Sequence, residues 1–152
     1  MLSMDGVVFA LVLFILIAVI VSPGGRKILR WIFLGPPNLR FEELPELFGD
    51  GRGFVIEHDP ARRMPGADRN IQAHNDGMSI IYHTTKLPEG LAETVNILCT
   101  GTFGMIFTLR NGEMTCFERI GGITYNSPKL TGKEENAVLR FMISLRKFFN
   151  DK

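Results

Sequence analysis

The side chains best suited to chemistry here are three histidines close together in sequence, His58, His74 and His83. Two stand beside carboxylates, in Glu57-His58-Asp59 and His74-Asn75-Asp76. Imidazole and carboxylate are the ligand set of a hydrolytic metal centre, where three protein ligands leave one position for an activated water. A helical zinc site needs two histidines on adjacent turns, as in H-E-x-x-H, and these three histidines have no such spacing. A membrane-tethered metal-dependent hydrolase on His58, His74 and His83 is therefore an alternative only. Polar turn residues, with His83 on a strand face, is the simpler account.

The other candidates are weaker. Gly49-Asp50-Gly51-Arg52-Gly53 offers backbone N–H groups to a phosphate, but a phosphate loop follows a strand and opens a helix. This segment precedes the strand-like Phe54-Val55-Ile56-Glu57 and contains an acid, so it reads as a hinge. Glu134-Glu135 is a paired carboxylate in a first helical turn, where capping and the helix dipole account for it. No G-x-S-x-G elbow is present. Cys99 and Cys116 fit no C-x-x-C or zinc-finger spacing and read as small apolar residues. No catalytic, metal-binding or cofactor-binding residue is assigned, no cofactor is expected, and the chain reads as not an enzyme. The long polar stretch 58–78 is the expected partner-contacting loop, through Arg62, Arg63 and Arg69.

These residues hang from a chain whose beginning is its strongest signal. Residues 6–21, GVVFALVLFILIAVIV, hold no polar side chain, and the uncharged run continues to Arg26. Twenty helical residues span ~30 Å, the thickness of a bilayer hydrocarbon core. Residues 1–25 therefore read as a single transmembrane anchor. A secretory signal peptide fits less well, because Met1–Gly6 carries Asp5 and no cation, and Ser22-Pro23 is a poor cleavage context. A buried core helix fits less well still, since the run is apolar all round.

Arg26, Lys27 and Arg30 follow the run and no cation precedes it. The positive-inside rule then expects the N-terminus outside and the C-terminal domain on the cytoplasmic, or equivalent, side. Residues 26–34, RKILRWIFL, put Arg26, Lys27 and Arg30 on one helical face and Ile28, Leu29, Trp31 and Ile32 on the other. That pattern suits a helix in the membrane interface with Trp31 at headgroup level, or a continuation of the anchor whose cations snorkel. Residues 26–53 are accordingly a basic interfacial segment and linker.

Residues 54–152 form the expected globular domain. The chain has 17 Lys and Arg against 16 Asp and Glu, and only three of those cations and one acid precede Gly35. A nearly neutral domain argues against nucleic acid as a partner. Strands are expected near 54–57, 78–84, 93–100 and, as a hairpin, 105–120, with lesser strand signals at 70–73 and 123–125. Asn111-Gly112 is a type I′ turn signal that pairs Leu109 with Met114, Thr108 with Thr115, Phe107 with Cys116 and Ile106 with Phe117. Met105, Phe107, Leu109, Met114 and Cys116 would then face the core. Thr131 and Glu134 make a capping box for a helix over 132–150, whose apolar stripe runs from Ala137 to Phe149.

The fold expected is α+β: an N-terminal transmembrane helix, then a small antiparallel sheet of about five strands closed by an amphipathic C-terminal helix. The ending GMIFTLRNGEMTCFERI, a polar loop, then LTGKEENAVLRFMISL resembles the last hairpin and helix of GAF or PAS sensor domains. A strand series with one closing helix is also similar to the pleckstrin-homology pattern. Both resemblances imply a small binding or assembly scaffold and carry no functional residue across. The expected function is a non-catalytic single-pass membrane protein, an interaction module or accessory subunit of a membrane complex. Its expected partners are the lipid bilayer and membrane proteins or a second copy. A phage-holin-like permeabilising or lysis-regulating protein is the other alternative, from the layout of one N-terminal span and a C-terminal domain.

Overall fold

The computed structural model describes residues 3–57 and 66–151, which divide into two units, residues 1–37 and 38–152. In the first unit, α1 (Met4–Val21) has no buried residue and is long and apolar enough to cross a membrane. The same length and composition suit a signal sequence. Its Ser3 cap accepts a hydrogen bond from the Gly6 amide, and Asp5 in the first turn complements the helix dipole.

The helix does not run on through the basic residues. Ser22 is extended, and α2 (Pro23–Leu34) starts there as a separate helix with proline at its first position. Gly35, at φ 75°, ends it. The residues Ser22-Pro23-Gly24-Gly25, read from sequence as the tail of the anchor, thus form an elbow and the first turn of α2.

The second unit opens with Leu39 and a 3-10 turn, Phe41–Glu43, that leads into the short α3 (Leu44–Phe48). Seven antiparallel strands follow: β1 (Val55–Glu57), β2 (Arg69–His74), β3 (Met78–Leu87), β4 (Gly90–Cys99), β5 (Met105–Arg110), β6 (Glu113–Arg119) and β7 (Thr124–Asn126). Their order in the sheet is their order in the chain, a meander, and α4 (Gly132–Asn150) closes the unit. The α+β class, the N-terminal apolar helix and the closing helix are as expected, but the sheet has seven strands, not about five.

Alternation decides which face is core. Met78, Ile80 and Tyr82 of β3, Val95 and Ile97 of β4, and Met105, Phe107 and Leu109 of β5 point to one side and are buried. α4 lays Val138, Phe141, Met142, Leu145 and Phe149 on that side. Phe141 sits edge-on to Phe48 of α3 at 5.6 Å and to Phe107 of β5 at 6.4 Å, so helices and sheet meet at one ring.

The register of the β5–β6 hairpin corrects the sequence expectation. Leu109 faces Met114, but Thr108 faces Cys116, Phe107 faces Phe117 and Ile106 faces Glu118. Thr115 is the extra residue of a bulge, which advances every later pair by one position. Phe117 therefore takes the buried place expected for Cys116. Burying the larger ring is the gain: it lies 4.7 Å from Phe41 and stacks on Tyr125 of β7 at 5.6 Å.

Candidate functional site

In the first unit, the basic segment begins with a built elbow. Ser22 Oγ accepts the Gly25 amide at 2.9 Å and donates to the Val19 carbonyl at 3.1 Å. One hydroxyl thus caps the start of α2 and one of the orphan carbonyls at the end of α1. Arg26 Nε donates to the Ile20 carbonyl at 3.0 Å, placing a cation on the negative end of the α1 dipole. Gly25 is buried, and a Cβ there would collide with the Val19 carbonyl. Beyond the elbow, Lys27 and Arg30 are exposed, and so are Ile28, Trp31, Ile32, Phe33 and Leu34. α2 thus carries exposed cations and a large exposed apolar surface on one short helix.

In the second unit, the site-like feature is one that sequence reading missed. Glu93 is an inward position of β4 and only 4% exposed. Its Oε1 accepts from Arg146 Nη2 at 2.6 Å, and its Oε2 accepts from Arg146 Nε at 2.8 Å and from the Tyr82 hydroxyl at 2.7 Å. The fork geometry of guanidinium on carboxylate makes this a bidentate pair. Burial alone would raise the Glu93 carboxyl, but the hydrogen bonds from Arg146 and Tyr82 outweigh it and hold it below the usual carboxylate range. Burial, then the bond to Glu93, pushes the Tyr82 phenol up, and the bond to Glu93 keeps Arg146 firmly charged. Tyr82 stacks on Phe149 at 5.5 Å with rings 12° apart. The network locks β3, β4 and α4 together and holds fixed charge, with no group poised to exchange a proton near neutrality.

Arg69, expected as a partner contact, is joined to the same helix. Its Nη2 donates to the Phe149 carbonyl at 2.6 Å and its Nη1 to Asn150 Oδ1 at 2.9 Å, a cap on the C-terminal end of α4. Arg62 and Arg63 lie outside the described residues, as do His58 and Asp59.

His74 and His83 are not brought together. His74 faces Ser79 across the β2–β3 ladder and His83 faces Asn70, four residues further along β2, or ~13 Å. His74 Nδ1 is 4.0 Å from Glu57 Oε2 at the exposed edge of the sheet. His83 is half-buried on the face away from α4, and burial lowers its imidazole from the ordinary value. Among the described residues no group of three His, Cys, Asp or Glu is placed to hold a metal ion. Cys99 and Cys116 are both free thiols, and burial pushes Cys99 up.

Gly49-Asp50-Gly51-Arg52-Gly53, read as a hinge, is a packed turn. Gly51, at φ 80°, lies against the Phe148 ring so closely that a Cβ would collide with it, and Asp50 Oδ1 accepts the Arg52 amide at 3.0 Å. Beside this turn a cleft of about 750 Å³ opens at one end of the sheet, walled by Leu39, Leu47, Met78, Cys99 and Thr102, with Glu43, Glu46 and Asp76 at its rim. Its walls mix apolar and polar side chains.

No family profile, no curated protein and no solved structure matches this chain.

Proposed function

We propose that this is a non-catalytic, single-pass membrane protein whose α+β domain is an interaction module or an accessory subunit of a membrane protein complex. One observation carries the reading: past Asp5 in its first turn, the eighteen-residue helix α1 is apolar on every side, with none of its residues buried in the protein. Such a surface in water would be a severe aggregation liability, and a bilayer removes it. The elbow at Ser22 and the basic, Trp-bearing α2 support the same reading, since they suit the boundary that α1 would reach on leaving the hydrocarbon. The flanking charges of Arg26, Lys27 and Arg30 favour the domain on the cytoplasmic, or equivalent, side. In the domain, Glu93, Arg146, Tyr82 and Arg69 are occupied with one another and with α4, which supports a scaffold in place of a reaction centre.

The test is mild-detergent affinity purification of the full-length protein from its native membrane, with the eluate identified by mass spectrometry. Stoichiometric co-purifying membrane proteins are the expected result. Recovery of the chain alone as a monomer would contradict the accessory-subunit role.

A further inference from the structure

Resting on the anchored reading above, we propose that the end of the sheet where the chain joins the domain is a second lipid-contacting surface. There Phe103 and Ile123 rest in the interface of the same bilayer that holds α1.

Chain length limits how far this end can lie from α2. Gly35-Pro36-Pro37 is all that separates α2 from Asn38, which bridges to Phe103, and the Leu39 amide donates to the Phe103 carbonyl at 3.2 Å. At most ~3.6 Å per residue, the step from Leu34 to Asn38 covers no more than ~14 Å. If α2 lies in the interface, the backbone of Phe103 is therefore held close to the headgroup layer, whichever way the domain turns.

The surface at that end has the right chemistry. Phe103 is 38% exposed, Leu98 45% and Ile123 71%. They belong to adjoining segments: the Ile120 amide donates to the Gly104 carbonyl at 3.1 Å, and Gly104 lies against the side chains of Ile120 and Leu98. Residues 94–109 and 120–128 contain no Asp, Glu, Lys or Arg, so the two tips themselves carry no charge to desolvate, while Glu43, Glu46 and Asp76 stand beside them at the rim of the cleft. The cations beside it are engaged: Arg119 donates to the Leu39 carbonyl at 2.6 Å and lies over the Phe117 ring, while Arg40 pairs with Glu43. Glycine flanks both tips, in Gly101-Thr102-Phe103-Gly104 and Gly121-Gly122-Ile123. Two glycine-set apolar tips at the tethered end suit a lipid surface, which needs no matching shape.

The test uses the full chain in phosphatidylcholine vesicles, with and without brominated acyl chains. In a Trp31→Phe background, Phe103→Trp and Ile123→Trp report on the two tips. Leu91→Trp, seven residues from Leu98 along β4 or ~24 Å away, reports on the far end. The expected result is blue-shifted, bromine-quenched emission at 103 and 123, and water-like, unquenched emission at 91. Native Trp31 in the unaltered chain is measured alongside. Quenched Trp31 with water-like emission at 103 and 123 would overturn the inference and leave the anchor standing. Unquenched Trp31 would take α2 out of the interface and overturn the inference with it, while the α1 span is tested separately by membrane retention of the chain. Quenching at 91 equal to that at 123 would show that the sheet end has no special place. Shielded emission at 123 already in detergent, with a doubled particle mass, would assign this end to a second copy and overturn the lipid assignment.

Discussion

A carboxylate at an inward position of a strand must be neutralised or paired, and Glu93 shows what pairing entails. Its partners stand 11 and 53 residues away, at Tyr82 and Arg146, so nothing local in the sequence announces them. The usable signal is the alternation Glu93, Val95, Ile97, which puts a charge on the buried face and demands a cation from elsewhere. Breaking a fully buried pair costs ~3–5 kcal/mol. Arg146 keeps 35% of its side chain exposed, so Glu93→Ala is expected to destabilise the domain by less, about 2 kcal/mol after screening. Chemical denaturation of the detergent-solubilised protein measures it. The pH dependence has a definite sign. Glu93 titrates lower in the folded protein than the ~4.3 of an unfolded glutamate, so its contribution is complete above ~4.3 and is lost as pH falls through the folded value. Glu93→Gln should flatten that acid limb. His83 acts in a milder window: its folded value lies below the unfolded ~6.5, so stability falls as pH drops from ~6.5 through the folded value. His83→Gln should remove this upper step and leave the lower one, in denaturation curves taken between those limits.

At the scale of elements, local signals were legible and long-range ones were not. The Thr131–Glu134 capping box set the start of α4, and the apolar stripe set its packing face, because both are written within a few turns. The Asn111-Gly112 turn was also readable, with φ of 52° and 87° as a type I′ turn requires. The bulge at Thr115 was not, since only the competition between Phe117 and Cys116 for the core decides it. The count of about five fell short because 70–73 and 123–125, the segments of β2 and β7, are short and weakly periodic and were not counted as full strands. Asn111 does more than turn the chain. Its Oδ1 accepts the Leu91 amide at 3.1 Å and its Nδ2 donates to the Glu89 carbonyl at 3.1 Å, tying two hairpin ends together. Asn111→Ala loses both bonds at ~1 kcal/mol each and keeps a positive φ, so a loss of about 2–3 kcal/mol is expected in the same denaturation assay. Gly51→Ala should cost about 2 kcal/mol through positive-φ strain and overpacking against Phe148. A flexible hinge would tolerate that change, so an unaltered midpoint would contradict the packed turn.

In the whole molecule an apolar helix and a short basic helix are joined to a compact α+β unit through three residues, Gly35-Pro36-Pro37. The candidate site was only partly legible. Arg26, Lys27, Arg30 and Trp31 lie in contiguous sequence, so their common place on one short helix was readable, although the hydrogen bond of Arg26 to α1 was not. The histidines invited a metal reading by proximity in sequence, and the sheet separates His74 from His83 along its strands. The elbow is the joint on which the arrangement depends. Gly25→Leu should displace the Val19 carbonyl and shift Trp31 fluorescence in vesicles, whereas Gly24→Ala, in open space, should not. The central claim is that α1 is a retained membrane span. The most direct measurement is alkaline carbonate extraction of native membranes, followed by the intact mass of the recovered protein. The account predicts that the protein stays in the membrane pellet with residues 4–21 present. Release into the supernatant, or a mass lacking the apolar segment, would contradict it.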